Sequence, residues 1–189
     1  MEVIATDIPG VLLLKPRSFH DARGYFVETY NVGAARAAGI AADFVQDNQA
    51  LSHKRGTVRA LHFQTPPHAQ AKLVRVLRGA IYDVAVDLRA GSPTYGRWTA
   101  ATLTARGGEQ VFVPRGFAHG YCTLESDTEV AYKVDDYYAP DCERGLIWND
   151  PKLAIDWPVT ASQAVLSDKD RQLPHFADFA SPFRYDRAG

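Results

Sequence analysis

The chain has 189 residues, of which 46% are hydrophobic and 11% aromatic; this suits one folded domain and excludes a disordered chain. With 21 Lys and Arg against 22 Asp and Glu the formal charge is −1, which excludes a general nucleic-acid binder. Residues 1–80 nevertheless hold ten basic against six acidic side chains, a local excess compatible with a small anionic ligand.

Cys122 and Cys142 are too few for a disulfide framework and lack the spacing of metal ligands. The amino terminus carries no basic leader, and its longest apolar run, Val11-Leu12-Leu13-Leu14, is too short for a signal segment or a membrane span. The default expectation is a cytoplasmic protein with no membrane partner.

In chain order, Pro9-Gly10 predicts a turn and residues 11–15 a strand. Asp21-Ala22-Arg23-Gly24 is a turn, followed by an aromatic-rich strand over residues 25–30. Asn31 can cap a short helix over the alanine-rich residues after it, with Gly39 ending that helix. Strands are then expected near 44–51, 58–63, 72–79, 81–88, 97–104, 110–113, 119–124 and 128–134, separated by Gly, Pro and Asp turn signals. This spacing predicts an all-β, double-sheet jelly roll with its core at about 44–150. After Trp148 the pattern changes. Ser167 and Asp170 have the spacing of a helix-capping box, and residues beyond Pro174 read as a loosely docked aromatic tail within a C-terminal segment of about 160–189.

Several strands carry a polar residue that alternation does not require. Arg59 and His62 lie in one run, Lys72 starts the next, and Tyr132 shares a face with Val130 and Val134. An ionisable group in a β core must be paired, hydrogen-bonded or in use, so these residues point to a polar cavity lined by sheet. A jelly-roll metal site needs two histidines two apart on one strand, but Phe63 and Gln64 follow His62, which leaves only the distant His119. We therefore expect no metal and no cofactor. A histidine near a carboxylate can act as a base at neutral pH, and His62 is the candidate. Simpler roles compete with the chemical ones: a core hydrogen bond for His62 or Tyr132, a surface position for Lys72 and a helix cap for Asp170. Strict alternation also puts Arg59 and His62 on opposite faces, so a shared pocket needs a β-bulge or the reach of the arginine.

A set of motifs then resembles the dTDP-4-dehydrorhamnose 3,5-epimerase family: Asp21-x-Arg23-Gly24-x-Phe26-x-Glu28, Val45-Gln46-Asp47-Asn48, Arg59-x-Leu61-His62-Phe63-Gln64, Lys72-Leu73-Val74-Arg75, Gly116-Phe117-Ala118-His119-Gly120, Ala131-Tyr132-Lys133, Glu143-Arg144-Gly145, Ile155-Asp156-Trp157-Pro158 and Leu166-Ser167-x-Lys169-Asp170. They run in order through nearly the whole chain. One departure is Ala60, where the family usually has glycine. The resemblance implies a metal-free cupin-like homodimer acting on a dTDP-linked 4-keto-6-deoxyhexose in the route to dTDP-L-rhamnose. By position it implies His62 as base held by Asp170, Tyr132 as acid and Lys72 near the keto oxygen. Arg23, Glu28, Gln46, Asn48, Arg59, Lys72, His119, Glu143 and Lys169 resemble the substrate-binding set. Tyr25, Phe26 and Tyr138 are candidates to stack on thymine. Three readings compete: a mono-functional 3- or 5-epimerase, a sugar-nucleotide binding module without chemistry, and a metal-dependent dioxygenase of the same fold.

Overall fold

A computed structural model describes residues 1–186. The first large sheet is built from β1 (Glu2–Ala5), β2 (Leu12–Lys15), β5 (Gln46–Ser52), β7 (Lys72–Arg78), β10 (Gln110–Val113) and β12 (Thr128–Val134), in the order β1-β2-β10-β7-β12-β5. The second contains β6 (Val58–Gln64), β8 (Ala80–Asp87), β9 (Trp98–Thr104), β11 (Phe117–Thr123) and β13 (Glu143–Gly145), in the order β13-β6-β11-β8-β9. Every ladder in both sheets is antiparallel, and sequence neighbours are repeatedly split between the sheets, as in the jelly roll expected.

Val74, Val76 and Val130 from the first sheet meet Ile81, Ala85, Leu103 and Phe117 from the second, forming a shared core. The outer faces are also covered. The short helix α1 (Val32–Ala37) starts at Asn31, whose side chain accepts from the Ala34 N–H as a cap should; Ala35 and Ile40 then pack on Leu14, Leu73 and Phe112. On the other side Trp148, Leu153, Trp157, Phe176 and Phe183 lie over β6, β8 and β11. This explains why β8 is buried along almost its whole length instead of at every second residue.

The carboxyl-terminal segment corrects one expectation. It is no loose tail: Phe176 and Phe183 are buried, Ser181 bonds the Leu88 carbonyl, and Tyr185 N–H donates to Ala90 O at 3.0 Å. Residues 187–189 of the expected segment lie outside those described. The aromatic strand near the amino terminus is also shorter than expected. It is β4 (Gly24–Val27), paired only with β3 (Ser18–Asp21) in a separate, almost wholly exposed hairpin. Among the described residues no helix is long and apolar enough to cross a membrane.

Candidate active site

β6 positions His62, and its pairing settles the conflict over faces. His62 lies opposite His119 on β11, whereas Arg59 lies opposite Tyr121, so between them two residues of β6, Ala60 and Leu61, face the single Gly120 of β11. That bulge turns both Arg59 and His62 into one cavity. The close approach depends on Gly120: a Cβ there would fall 2.5 Å from the Ala60 Cβ and 2.9 Å from the Arg59 carbonyl oxygen. Ala60, the departure from the family motif, thus occupies space that a glycine opposite leaves open.

The cavity, about 540 Å³, opens between the two sheets. His62 Nε2 stands 2.9 Å from Asp170 Oδ1, with the imidazole partly exposed and the carboxylate buried. At that distance the Asp170 carboxylate can balance a positive charge on the imidazole, while Nδ1 is the ring nitrogen turned away from the pair. Ser167 still accepts the Asp170 N–H at 3.1 Å, so half the capping box forms. The chain continues only as a short 3-10 turn, Asp170–Gln172, and the carboxylate serves the histidine. Next to this pair His119 Nε2 lies 2.8 Å from Asp83 Oδ2, both side chains almost completely buried.

The opposite wall belongs to the first sheet. Alternation along β5 aims Gln46 and Asn48 inward, where Gln46 donates to Asn48 Oδ1 at 2.9 Å. Tyr132 on β12 faces the same space, and burial raises its phenol pKa against the opposing pull of Arg59. Lys72 on β7 donates to the His62 carbonyl at 3.3 Å. Burial pushes its ammonium pKa down to about 8, while the Asp83 and Glu143 carboxylates pull the other way. The result is a cation at the cavity that holds its proton less firmly than an ordinary lysine.

At the mouth, Glu143 Oε2 receives the Tyr138 hydroxyl at 2.8 Å and pairs with Lys169 Nζ at 2.7 Å. Burial works against the Glu143 charge, but these two bonds hold its pKa below the usual value. Gln64 anchors the loop that presents Tyr138, donating to the His68 and Tyr137 carbonyls and accepting from Ala139 N–H.

Ten of the residues singled out in the sequence line this cavity: His62, Tyr132, Asp170, Lys72, Gln46, Asn48, Arg59, His119, Glu143 and Lys169. Two do not. Arg23 sits on the exposed hairpin, held by Asp21 at 2.6 Å, and Glu28 is exposed just after it, receiving the Asn31 amide at 3.4 Å. Of the three thymine candidates Tyr138 lines the cavity, while Tyr25 and Phe26 lie on the hairpin. Gln64 and Tyr121 are cavity residues to which the sequence reading assigned no separate role; the signal for Tyr121 was its place two residues beyond His119, on the same face of one strand. Among the described residues no group of three or more His, Cys, Asp or Glu side chains is arranged to hold a metal ion.

Fold and cavity together are those of a cupin-like isomerase. The family described as dTDP-4-dehydrorhamnose 3,5-epimerase matches residues 5–178, and the chain belongs to that family. It is 48% identical to the dTDP-4-dehydrorhamnose 3,5-epimerase of Sinorhizobium fredii over 94% of this chain and 91% of that one. Among solved structures it resembles the Bacillus anthracis enzyme of the same name, with TDP and pyrophosphate bound, at 52% identity and TM-score 0.89, covering 92% of this chain and 98% of that one. The Legionella pneumophila dTDP-6-deoxy-D-glucose-3,5-epimerase, in complex with dTDP-4-keto-L-rhamnose, gives 39% identity and TM-score 0.92, with 98% of each chain covered.

Proposed function

We propose that this chain epimerises dTDP-4-dehydro-6-deoxy-D-glucose at C3 and C5, giving dTDP-4-dehydro-L-rhamnose, with His62 as base and Tyr132 as acid. One observation carries the reading: a carboxylate-backed imidazole from one sheet and a half-buried phenol from the other line a single cavity.

Hydrogen on carbon next to a ketone is acidic because the resulting charge spreads onto oxygen, so the site needs a base at carbon and a cation at oxygen. In this reading His62 Nδ1 takes the proton and Asp170 stabilises the imidazolium. The Lys72 ammonium faces the charge that develops on the C4 oxygen. Tyr132 then gives its proton to the other face of the same carbon, which inverts the centre. Each inversion leaves imidazolium and phenolate, and exchange with solvent restores both. The C4 ketone activates C3 and C5 alike, so one site serves both centres if the ring shifts between steps. Arg59 offers the planar guanidinium suited to a diphosphate, and Tyr138 offers a face to thymine.

The β3–β4 hairpin supports a second element of the proposal. Phe19, Tyr25 and Phe26 are 51%, 68% and 70% exposed, an apolar surface suited to burial against a second copy of the chain. In a homodimer this hairpin can bring Arg23 and Glu28 to the partner's cavity, a role for which neither is placed within its own chain. A sedimenting mass of a single 20.9 kDa chain at working concentration would remove this element. We place the protein in the cytoplasm, where nucleotide sugars are made and used.

Incubation with dTDP-4-keto-6-deoxyglucose in deuterated water tests the main reading. Label at both C3 and C5 is the expected result. Label at one carbon alone would make the chain a mono-functional epimerase, and binding with no exchange would reduce it to a carrier.

A further inference from the structure

The Tyr121 hydroxyl is the one buried side-chain polar atom among the described residues with no hydrogen-bond partner. The residue is 4% exposed and lines the cavity. An unpaired hydroxyl in a dry interior is destabilising, and phenylalanine would fill the same apolar space without that penalty. A hydroxyl kept in such a place has a partner at some other point in the working cycle.

The Ser52 side chain stands close enough to pull the Tyr121 pKa down, but its oxygen accepts from Arg59 Nε at 3.2 Å and makes no hydrogen bond to the Tyr121 hydroxyl, so the partner must come from elsewhere in the cavity. Tyr121 lies opposite Arg59 across the β6–β11 ladder and packs among Val74, Val76 and Val130 in the intersheet core. Tyr132 packs against the same cluster from β12. The two phenols thus enter the cavity from different sheets, with Arg59 also lining it. Burial pushes the Tyr121 pKa up to about 12, so this phenol keeps its proton and remains a donor under working conditions.

We propose that Tyr121 is a positioning residue for Tyr132: its hydroxyl donates a hydrogen bond to the Tyr132 oxygen once that phenol has given its proton to the sugar carbon. This rests on the assignment of Tyr132 as the acid. A phenolate formed in a buried site has lost water as its solvent, and a fixed neutral donor replaces part of that solvation without itself changing protonation. The proton count is unaffected. The hydrogen that reaches carbon comes from Tyr132, the one that leaves carbon goes to His62, and the Tyr121 hydrogen stays on its own oxygen. Arg59 adds positive charge beside the phenolate, while burial and Glu143 oppose it, so a specific donor has something to offset.

The test is Tyr121→Phe, assayed in deuterated water for loss of C3 and C5 hydrogen and, separately, for net inversion. Proton loss should continue near the wild-type rate because His62 is untouched. Net inversion should slow about tenfold, the size expected from losing one hydrogen bond to a charged group. Tm should stay level or rise, because an unpaired hydroxyl has been removed. Unchanged inversion overturns the proposal, as does an equal fall in proton loss and inversion, which general disturbance of the fold would produce. Tyr132→Phe, run alongside, separates the two levels of the argument. If it inverts both centres at the wild-type rate, the acid assignment itself fails. If it loses inversion while Tyr121→Phe does not, only the role of Tyr121 fails.

Discussion

Two imidazole–carboxylate pairs stand side by side in this molecule, on residues directly opposite each other across the β6–β11 ladder. They are chemically alike, with nitrogen-to-oxygen distances of 2.9 Å for His62–Asp170 and 2.8 Å for His119–Asp83. They differ in access. The His62 side chain is 26% exposed and that of His119 only 7%. A base must reach a proton on a substrate and then release it to water, so the open pair suits catalysis and the closed pair suits holding the wall in shape. Their anchoring differs too. Asp83 lies within β8, deep in the sheet, whereas Asp170 arrives on a 3-10 turn from the far end of the chain. The sheet makes one pair, and the carboxyl-terminal segment completes the other.

The comparison is broken most sharply by truncating each histidine in turn. His62→Ala should lower turnover by roughly 10² to 10⁴, the usual worth of a general base, while dTDP affinity measured by calorimetry stays close to wild type. His119→Ala should instead raise KM and lower Tm, with a much smaller loss of kcat. An equal collapse of kcat in both variants would show that access is not what separates the pairs.

Gly120→Ala acts on the alignment of the two histidines. The added Cβ has no room against Ala60 and the Arg59 carbonyl, so β6 must move away. We expect a loss of about 1–3 kcal/mol in stability by denaturant titration, together with reduced turnover because His62 and Arg59 shift as a unit. Wild-type stability and activity would mean that the bulge does not hold them in place.

The smallest effect is electrostatic and links the pairs. Lys72, with its pKa brought down to about 8 by burial, loses its proton as pH rises through that value, so activity should fall on the alkaline side there. Asp83 raises the Lys72 pKa, so Asp83→Asn should shift the alkaline limb to lower pH, a change visible in a kcat/KM profile. For stability the sign runs the other way. The lowered pKa means that the folded state binds this proton less tightly than the unfolded chain does. Its contribution is therefore present above the ordinary lysine value and lost as pH falls through about 8.

Where side chains alternate, the sequence was a reliable guide. Residues 110–113 and 128–134 are strands with the expected bounds, and Tyr132 faces inward with Val130 and Val134. Asn31 caps its helix because a short amide side chain there satisfies a free N–H, a purely local matter. What could not be read locally depended on partners. Nothing in β6 itself says that two of its residues will face one on β11; only the conflict between Arg59 and His62 hinted at it. The tail looked loose because its aromatics follow no period, yet Phe176, Phe179 and Phe183 pack onto the outer face of the second sheet. Asp170 showed the spacing of a cap, and whether its carboxylate turned back to the helix or across to His62 depended on a strand more than a hundred residues earlier. Tyr121 drew no reading of its own, because the sequence does not show whether a buried ring's hydroxyl finds a partner.

In the proposed mechanism the base comes from one sheet and the acid from the other, so the distance a proton donor must span is set by the thickness of the sandwich. Val74 and Val130, fully buried between the layers, are the spacers. A methylene added or removed at either would widen or narrow the gap across the hexose and retune the enzyme from a place no substrate atom ever touches.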